Sequence, residues 1–241
     1  MDIYAVNDLT ELLRSNPYPG RGIVLGQTPD GKHAVTAYFI MGRSANSRNR
    51  IFVEEPDGIR TEAYDPSKLE DPSLIIYHPV RQFGRGLIVT NGDQTDTIRD
   101  YLKKGLPMEQ ALRTREFEPD GPNWTPRISG LVALGEGDFS VKLSILKSAD
   151  GNGEYAQRYF FDYPRLPAGE GRFLHTYRGD GSPIPSFEGE PERVAVAAPS
   201  AEAWARELWG SLNEDNQVSL YVEYLSLEDG GREAVILNKN A

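Results

Sequence analysis

At residues 37–50 the chain reads Ala37-Tyr-Phe-Ile-Met-Gly-Arg43-Ser-Ala-Asn-Ser-Arg48-Asn-Arg50. The first five residues are apolar or aromatic and predict a buried strand, which Gly42 ends. The polar tail that follows holds three arginines, and the planar guanidinium group of arginine binds pairs of phosphate or carboxylate oxygens. The stretch therefore indicates either an anion site beside a core strand or a solvated loop whose arginines pair with some of the 36 acidic residues.

The composition narrows the classes of function. A chain of 241 residues is long enough to bury a substantial core. Its formal net charge of −10 argues against binding to nucleic acid or anionic membranes, so an anion site would be a local concentration of arginine or lysine. The absence of cysteine excludes thiolate nucleophiles and cysteine metal sites, and the histidines, His33, His78 and His175, are too scattered to suggest zinc. No secretory signal or membrane-spanning apolar run is present, so we expect a soluble cytoplasmic protein.

Hairpin signals dominate the chain. Pro-Asp-Gly turns at 29–31 and 56–58 each separate two β-rich runs. Strands are predicted at 21–28, 32–41, 51–55, 59–64, 74–77, 86–90, 128–134, 139–146, 155–163, 193–198, 218–225 and 233–237. Because hairpins outnumber β-α-β units, we expect an α+β fold of largely antiparallel sheets with the helices packed outside. No linker or repeat divides the chain, so residues 1–241 are predicted to form a single domain.

Helical patterns are fewer and are marked by their starting residues. Helices are predicted to begin near Asn7, Asp93 or Asn91, Pro107 and Ser200. Residues 164–191 are mostly glycine, proline and charged residues with one short apolar interruption. They are predicted to form a long surface loop, which could serve as a lid or as a partner surface.

Several short motifs occur in an order and at a spacing that resemble one known family. They are Gly20-Arg21-Gly-Ile-Val-Leu-Gly26, Ala37-Tyr38 through Arg43-Ser44 to Arg48, Tyr77 through Arg81, Asn91-Gly92 with Thr95-Asp-Thr-Ile98, and Thr125-Pro-Arg-Ile128. Together they resemble the archaeal-type, stand-alone IMP cyclohydrolases and the bacterial members of that family. The similarity lies mainly before residue 130, and after it only the neighbourhood of Thr176-Tyr177 is similar.

The resemblance implies a fold and an activity. The family has a four-layer αββα sandwich like that of the N-terminal-nucleophile hydrolases, but without a processed nucleophile. This sequence agrees, since it opens Met1-Asp2 and has no cysteine. The implied activity is the reversible ring closure of 5-formamidoimidazole-4-carboxamide ribonucleotide to IMP with loss of water. No cofactor or metal is implied, and the expected partner is a purine nucleotide.

The resemblance also implies which residues form the site. Ring closure needs an anchor for the 5′-phosphate, donors that face the developing oxyanion, and a proton carrier. The residues that match as catalytic are Arg48, Tyr77 and Glu118. The residues that match as substrate-binding are Arg21, Arg43, Asn91 and Arg127.

Two residues near these positions are given structural roles. Arg50 matches the family less clearly than Arg43 and Arg48, so it is expected at the surface. Tyr38 lies inside a more apolar strand and is expected to support the core. Tyr77 would also be interpreted as a core-edge residue if the resemblance did not place it among the catalytic donors.

For some acidic and amide residues, the sequence is compatible with more than one role. Glu118 is the best match for the carboxylate upstream of the Thr-Pro-Arg motif, with Glu116 and Asp120 as alternatives. Asn91 can contact the substrate or cap a helix. Asp93 is expected to cap the same helix rather than to bind a metal ion.

The predicted function is a cofactor-free IMP cyclohydrolase. The alternative is a non-catalytic relative that binds purine nucleotides, which the weaker similarity after residue 130 keeps open. A third class is an amidohydrolase of the N-terminal-nucleophile type, which would need processing to expose an internal serine or threonine. A homo-oligomer is compatible with the sequence.

Overall fold

A computed structural model describes residues 4–69, 72, 75–135 and 139–240. Its helices are α1 (Leu9–Ser15), α2 (Ala45–Arg48), α3 (Gln94–Lys103), α4 (Met108–Leu112) and α5 (Ala201–Trp209). Its strands are β1 (Arg21–Gln27), β2 (His33–Met41), β3 (Ile51–Glu55), β4 (Gly58–Glu62), β5 (Val80–Phe83), β6 (Gly86–Thr90), β7 (Arg127–Leu134), β8 (Phe139–Ser148), β9 (Ala156–Tyr163), β10 (Glu170–His175), β11 (Glu192–Ala195), β12 (Gln217–Ser226) and β13 (Arg232–Asn238). Within these described ranges, no helix has the length and apolar character needed to cross a membrane.

The strands form two sheets. The first has the strand order β11-β10-β1-β2-β12-β13, and the second has the order β3-β4-β5-β6-β7-β8-β9. Neighbouring strands are antiparallel in both sheets. The predicted α+β class with largely antiparallel sheets is therefore confirmed.

The two sheets pack face to face with helices on both outer sides. On β1, Ile23 and Leu25 point between the sheets and belong to one cluster with Val89 and Ile128 of the second sheet. Val24 points the opposite way, into a cluster that includes α1 and α5. On the far side of the second sheet, α3 and α4 pack against β6, β7 and β8. The layers thus follow the predicted αββα order, while the likeness to the N-terminal-nucleophile hydrolases stays a prediction.

Strand β2 lies in the middle of the first sheet, between β1 and β12. Both of its faces are buried, which explains the continuous apolar run at 37–41. Gly42 then lets the chain fold back on itself, because a Cβ there would lie 2.6 Å from the Oγ of Ser47. Helix α2 begins directly afterwards with Ser44 as its N-cap. The arginine-rich tail is therefore held at the end of a central strand.

The prediction of a long surface loop at 164–191 is wrong, because β10 is a strand between β1 and β11. Glycine in this segment indicated a loop, yet Gly171 pairs directly with Gly26 of β1. The two glycines allow a close approach of the strands, since a Cβ on Gly26 would lie 2.8 Å from the Cα of Gly171.

Other local predictions also need correction. The predicted strand at 74–77 is wrong for residues 75–77, which lie in a turn and irregular structure, and Leu74 lies outside the described residues. The N-cap of α1 is Asp8, which accepts hydrogen bonds from the N–H groups of Thr10 and Glu11. Asn7 bonds instead to the backbone of Arg193.

The caps of the later helices agree with the predictions only in part. The predicted cap of α5 is confirmed, because Ser200 accepts a hydrogen bond from the N–H of Ala203. Asp93 occupies the N-cap position of α3 but makes no capping hydrogen bond with its side chain.

The close approach of β1 and β10 gives a stability test. We expect Gly26→Ala to lower the free energy of unfolding by about 1–3 kcal/mol, because its Cβ would lie 2.7 Å from the carbonyl oxygen of Glu170. Gly179→Ala is the control, since among the described residues other than its chain neighbours the nearest atom to its Cβ is the Asn16 Oδ1 at 4.0 Å. Denaturant unfolding measures both variants. An unchanged midpoint for Gly26→Ala would contradict the placement of β10.

Candidate active site

A cavity of about 320 Å³ lies where β1 begins and β2 ends. The segment around α2, the loop before β7 and the segment after β10 complete its walls. It is lined by Tyr18, Arg21, Arg43, Ser44, Asn46, Ser47, Arg50, Ile75, Glu118, Asp120, Asn123, Thr125, Tyr177 and Ile184. The cavity therefore combines three arginines, two carboxylates and several hydroxyl groups.

Two of the arginines are buried without a direct partner. Arg21 is 8% exposed and Arg50 is 5% exposed. Neither guanidinium group makes a hydrogen bond or an ion pair with any residue in the described part of the chain, and the buried Nε of Arg50 has no acceptor there. Because a buried charge without a hydrogen-bonded partner is costly, these two guanidinium groups are suited to binding an anion.

The two arginines differ in how their surroundings act on their charge. Burial, and then the charge of Arg21, lower the pKa of Arg50. Burial also works against the charge of Arg21, but Tyr18 and Glu118 raise the pKa of Arg21 above its ordinary value. The neighbours of Arg21 thus favour its charge, whereas burial and the charge of Arg21 disfavour that of Arg50.

Glu118 is the buried carboxylate of the cavity, at 7% exposure. Burial raises its pKa, and the nearby Arg21 and Arg127 only partly oppose that rise. Its carboxylate makes no hydrogen bond with another described side chain, and its backbone N–H donates to the carbonyl of Thr125. A carboxyl group that keeps its proton to a higher pH than usual is suited to accept and return a proton.

Tyr77 lies beneath the cavity floor. Its hydroxyl oxygen is 2.9 Å from that of Tyr38. Burial raises the pKa of Tyr77, while Arg50 and Arg21 act in the opposite direction. Its backbone is held by the fully buried Thr61, whose Oγ1 accepts from the Tyr77 N–H at 2.9 Å and whose own N–H donates to the Tyr77 carbonyl at 2.9 Å.

Arg21 is held by an equivalent backbone contact. The Oγ1 of the fully buried Thr176 accepts from the Arg21 N–H at 3.1 Å, and the Thr176 N–H donates to the Arg21 carbonyl at 3.0 Å. Thr176 belongs to the segment directly after β10. The backbone of Arg21 is therefore fixed by a residue in the segment that was predicted to be a surface loop.

Asn91 and Arg127 lie next to the cavity rather than in its lining. The amide of Asn91 donates to the Pro126 carbonyl at 2.9 Å and accepts from the Ile128 N–H at 2.8 Å. The guanidinium of Arg127 donates to Asp93 at 2.8 Å and to Gln94 at 2.7 Å. Asn91 thus holds the backbone on both sides of Arg127, whose charge acts on Glu118.

A chain of hydrogen bonds joins three of the residues that line the cavity. The hydroxyl of Thr125 contacts a carboxylate oxygen of Asp120 and lies 2.5 Å from the hydroxyl of Tyr177. The ring of Tyr177 stacks on that of Tyr18 with centroids 5.8 Å apart. Sequence reasoning missed these roles, although Thr125 and Tyr177 both occur in the motifs that carried the family resemblance.

The other two arginines of the opening stretch have partners. Arg43 lies at the mouth, donates to Asp180 and to the Gly181 carbonyl, and has its guanidinium carbon 5.2 Å from the Tyr18 ring centroid. Arg48 donates to the Gly42 carbonyl at 2.9 Å and to Asn216 Oδ1 at 3.0 Å.

The structure thus orders the predicted residues by their distance from the cavity. Arg21, Arg43 and Glu118 line it, and Tyr77 lies beneath it, whereas Arg48 is not among the lining residues. The expectation that Arg50 lies at the surface is wrong, because its side chain is buried in the lining.

The structure also distinguishes Glu118 from the two alternative carboxylates, those of Glu116 and Asp120. Glu116 is exposed and its carboxylate lies 3.5 Å from the guanidinium of Arg158. Asp120 lines the cavity, but its two carboxylate oxygens are used by the backbone and side chain of Thr125. Glu118 is therefore the carboxylate that is both buried in the lining and without a direct bond to another described side chain.

Comparisons with known proteins show which proteins the chain is similar to. A family model described as IMP cyclohydrolase-like protein matches residues 18–230, a range that contains every residue lining the cavity. An IMP cyclohydrolase of Methanopyrus kandleri is 32% identical over 183 residues, which are 71% of this chain and 89% of the relative. An IMP cyclohydrolase of Methanococcus maripaludis is 33% identical over 155 residues, which are 59% of this chain and 74% of the relative.

The uncompensated arginine gives a stability prediction. At neutral pH, folding disfavours the protonated form of Arg50, because its pKa is lower in the folded protein than its ordinary value. We therefore expect Arg50→Met to keep or raise the melting temperature of the ligand-free protein. Arg48→Met should lower it, since two hydrogen bonds are lost. A clear loss of stability in Arg50→Met, measured by thermal unfolding, would contradict this interpretation.

Proposed function

The chain belongs to the IMP cyclohydrolase-like family, and we infer from this membership and from the cavity that it is an IMP cyclohydrolase. The reaction closes the ring of 5-formamidoimidazole-4-carboxamide ribonucleotide to give IMP and water, and it is reversible. The observation that carries the proposal is the pair of buried arginines without an anionic partner in the described part of the chain. Such a pair suits a substrate that bears a phosphate and develops an oxyanion.

The chemistry requires few groups. The carboxamide nitrogen attacks the formyl carbon, a C–N bond forms, and the formyl oxygen takes up negative charge. The nitrogen loses a proton, the oxygen gains one, and the hydroxyl then leaves as water while the formamide nitrogen loses its proton. The protein must therefore stabilise one oxygen and carry protons between positions on the same substrate.

We assign roles by depth in the cavity. The buried Arg21 and Arg50 face the reacting end and donate hydrogen bonds to the developing oxyanion. Glu118 accepts the proton of the attacking nitrogen and returns it to the leaving oxygen, which its raised pKa favours. Tyr77 donates a hydrogen bond from beneath the cavity. The exposed Arg43 binds the 5′-phosphate at the mouth, where the phosphate would replace the carboxylate of Asp180.

Asn91 and Arg127 act indirectly in this scheme. Both polar atoms of the Asn91 amide are bonded to the backbone, which leaves the amide to hold the loop before β7. Arg127 moderates the pKa of Glu118 through its charge. We propose Arg50 for the guanidinium role that sequence reasoning gave to Arg48.

Turnover by matched variants tests this assignment. The purified protein should interconvert IMP and the formamido ribonucleotide, followed by the ultraviolet change as the ring opens or closes. We expect Arg50→Lys to lower kcat by on the order of 10²-fold, because a point charge replaces a planar fork of donors. Arg48→Lys should stay within a few-fold of the wild type.

The outcomes separate the competing functions. Loss of turnover in Arg48→Lys with wild-type turnover in Arg50→Lys would restore the assignment of Arg48. Calorimetric binding of IMP without conversion by the wild-type protein would instead favour a non-catalytic, purine-nucleotide-binding relative. An intact mass that shows internal processing would favour the amidohydrolase class.

The pH dependence of turnover tests whether Glu118 carries the proton. If its carboxylate accepts the proton, the rate rises as the pH rises through its pKa. Because burial raises that pKa, the acidic limb of kcat/KM should lie above the ordinary glutamate value of about 4.3. Glu118→Gln should abolish most turnover and remove this limb, whereas the exposed control Glu116→Gln should keep both. An unchanged acidic limb in Glu118→Gln would exclude Glu118 as the proton carrier.

A further inference from the structure

Two tyrosine hydroxyls meet beneath the cavity, and only one of them was expected to take part in function. Tyr38 comes from β2 in the first sheet, and Tyr77 comes from the segment before β5 in the second. Their oxygens are 2.9 Å apart, and both rings are buried. The distance is that of a hydrogen bond, so one hydroxyl donates to the other.

Counting hydrogens favours one direction for this hydrogen bond. Two hydroxyls carry two hydrogens, and only one of them lies between the oxygens, so the other needs an acceptor elsewhere. Tyr38 is fully buried, its ring stacks on Phe52 with centroids 5.6 Å apart, and its hydroxyl makes no second hydrogen bond within the described residues. If Tyr77 donated to Tyr38, the remaining hydrogen would be buried without an acceptor, which is unfavourable.

The opposite arrangement places the free hydrogen on the hydroxyl that lies nearer to possible acceptors. If Tyr38 donates to Tyr77, the free hydrogen belongs to Tyr77, whose charged neighbours are Arg50, Arg21 and Glu118. Arginine side chains only donate, so among these three only Glu118 could accept that hydrogen. The remaining acceptor is an oxygen of a molecule bound in the cavity.

We propose that Tyr38 is a positioning residue, which donates a hydrogen bond to Tyr77 and so directs the hydroxyl hydrogen of Tyr77 to the reacting end of the substrate. This inference rests on the proposed function and extends it to a residue that sequence reasoning placed in the core. A hydroxyl that accepts one hydrogen bond becomes a better donor of the next. Thr61 fixes the backbone of Tyr77, and Tyr38 fixes its hydroxyl.

The surroundings of the two phenols agree with this direction. Burial raises the pKa of both, but the bond between them lowers the pKa of Tyr77 and raises that of Tyr38. Tyr77 is thus the member of the pair that yields its proton more readily.

A double-mutant cycle tests the proposal. Tyr38→Phe removes only the hydroxyl and keeps the ring on Phe52. We expect it to lower kcat about three- to tenfold with little change in KM. In a Tyr77→Phe background the same change should have no further effect, because the group through which Tyr38 acts is gone. Tyr224→Phe is the control, since it removes a buried hydroxyl that donates to the Ala198 carbonyl in another layer.

A second readout is independent of turnover. In protein carrying ¹³Cζ-tyrosine, the Tyr77 resonance is identified by its loss in Tyr77→Phe. It should move in Tyr38→Phe and stay unchanged in Tyr224→Phe. Additive losses of kcat in the double variant, or an unmoved Tyr77 resonance in Tyr38→Phe, would overturn the inference. Absence of turnover in the wild type would instead overturn the proposed function and leave the resonance test intact.

Discussion

The structure of the site depends on the burial of two like charges, those of Arg21 and Arg50, side by side without a direct partner in the described part of the chain. Such an arrangement persists only if the surrounding fold holds both residues firmly. The sandwich does so from both sheets. Arg21 is the first residue of β1 and its backbone is hydrogen-bonded to Thr176, whereas Arg50 directly precedes β3. In the proposed function, a bound anion would offset the free-energy cost of burying the two charges.

At three places around the cavity, polar side chains hold the backbone of a proposed site residue and do not bond to its side chain. Buried threonines hold the peptide groups of Arg21 and Tyr77, and Asn91 holds those on both sides of Arg127. The functional side chains are therefore aimed by polar groups that never need to touch the substrate. The guanidinium groups of Arg21 and Arg50 and the Glu118 carboxylate make no hydrogen bond with another described side chain, as the proposed chemistry requires.

The fold was largely predictable because its signals are local. Pro-Asp-Gly turns and apolar runs identified most strands, and the antiparallel class followed from them. The strand β10 was missed because Gly171 indicates a loop, although pairing with Gly26 is what requires a glycine there. For the site, residue type and family motif identified Arg21 and Glu118. The sequence could not show which of Arg43, Arg48 and Arg50 is buried, because all three lie within eight residues. Which arginine is buried depends on the fold-back after Gly42, whose N–H donates to the carbonyl of Asn216, far away in the sequence.

The most direct test is an experimental structure with IMP bound. The account predicts that the nucleotide fills the cavity, with its purine end within hydrogen-bond distance of the guanidinium groups of Arg21 and Arg50 and of the Glu118 carboxylate. Arg48 should keep its contacts with Gly42 and Asn216. A nucleotide bound against Arg48, with Arg21 and Arg50 still without an anionic or polar contact, would contradict it.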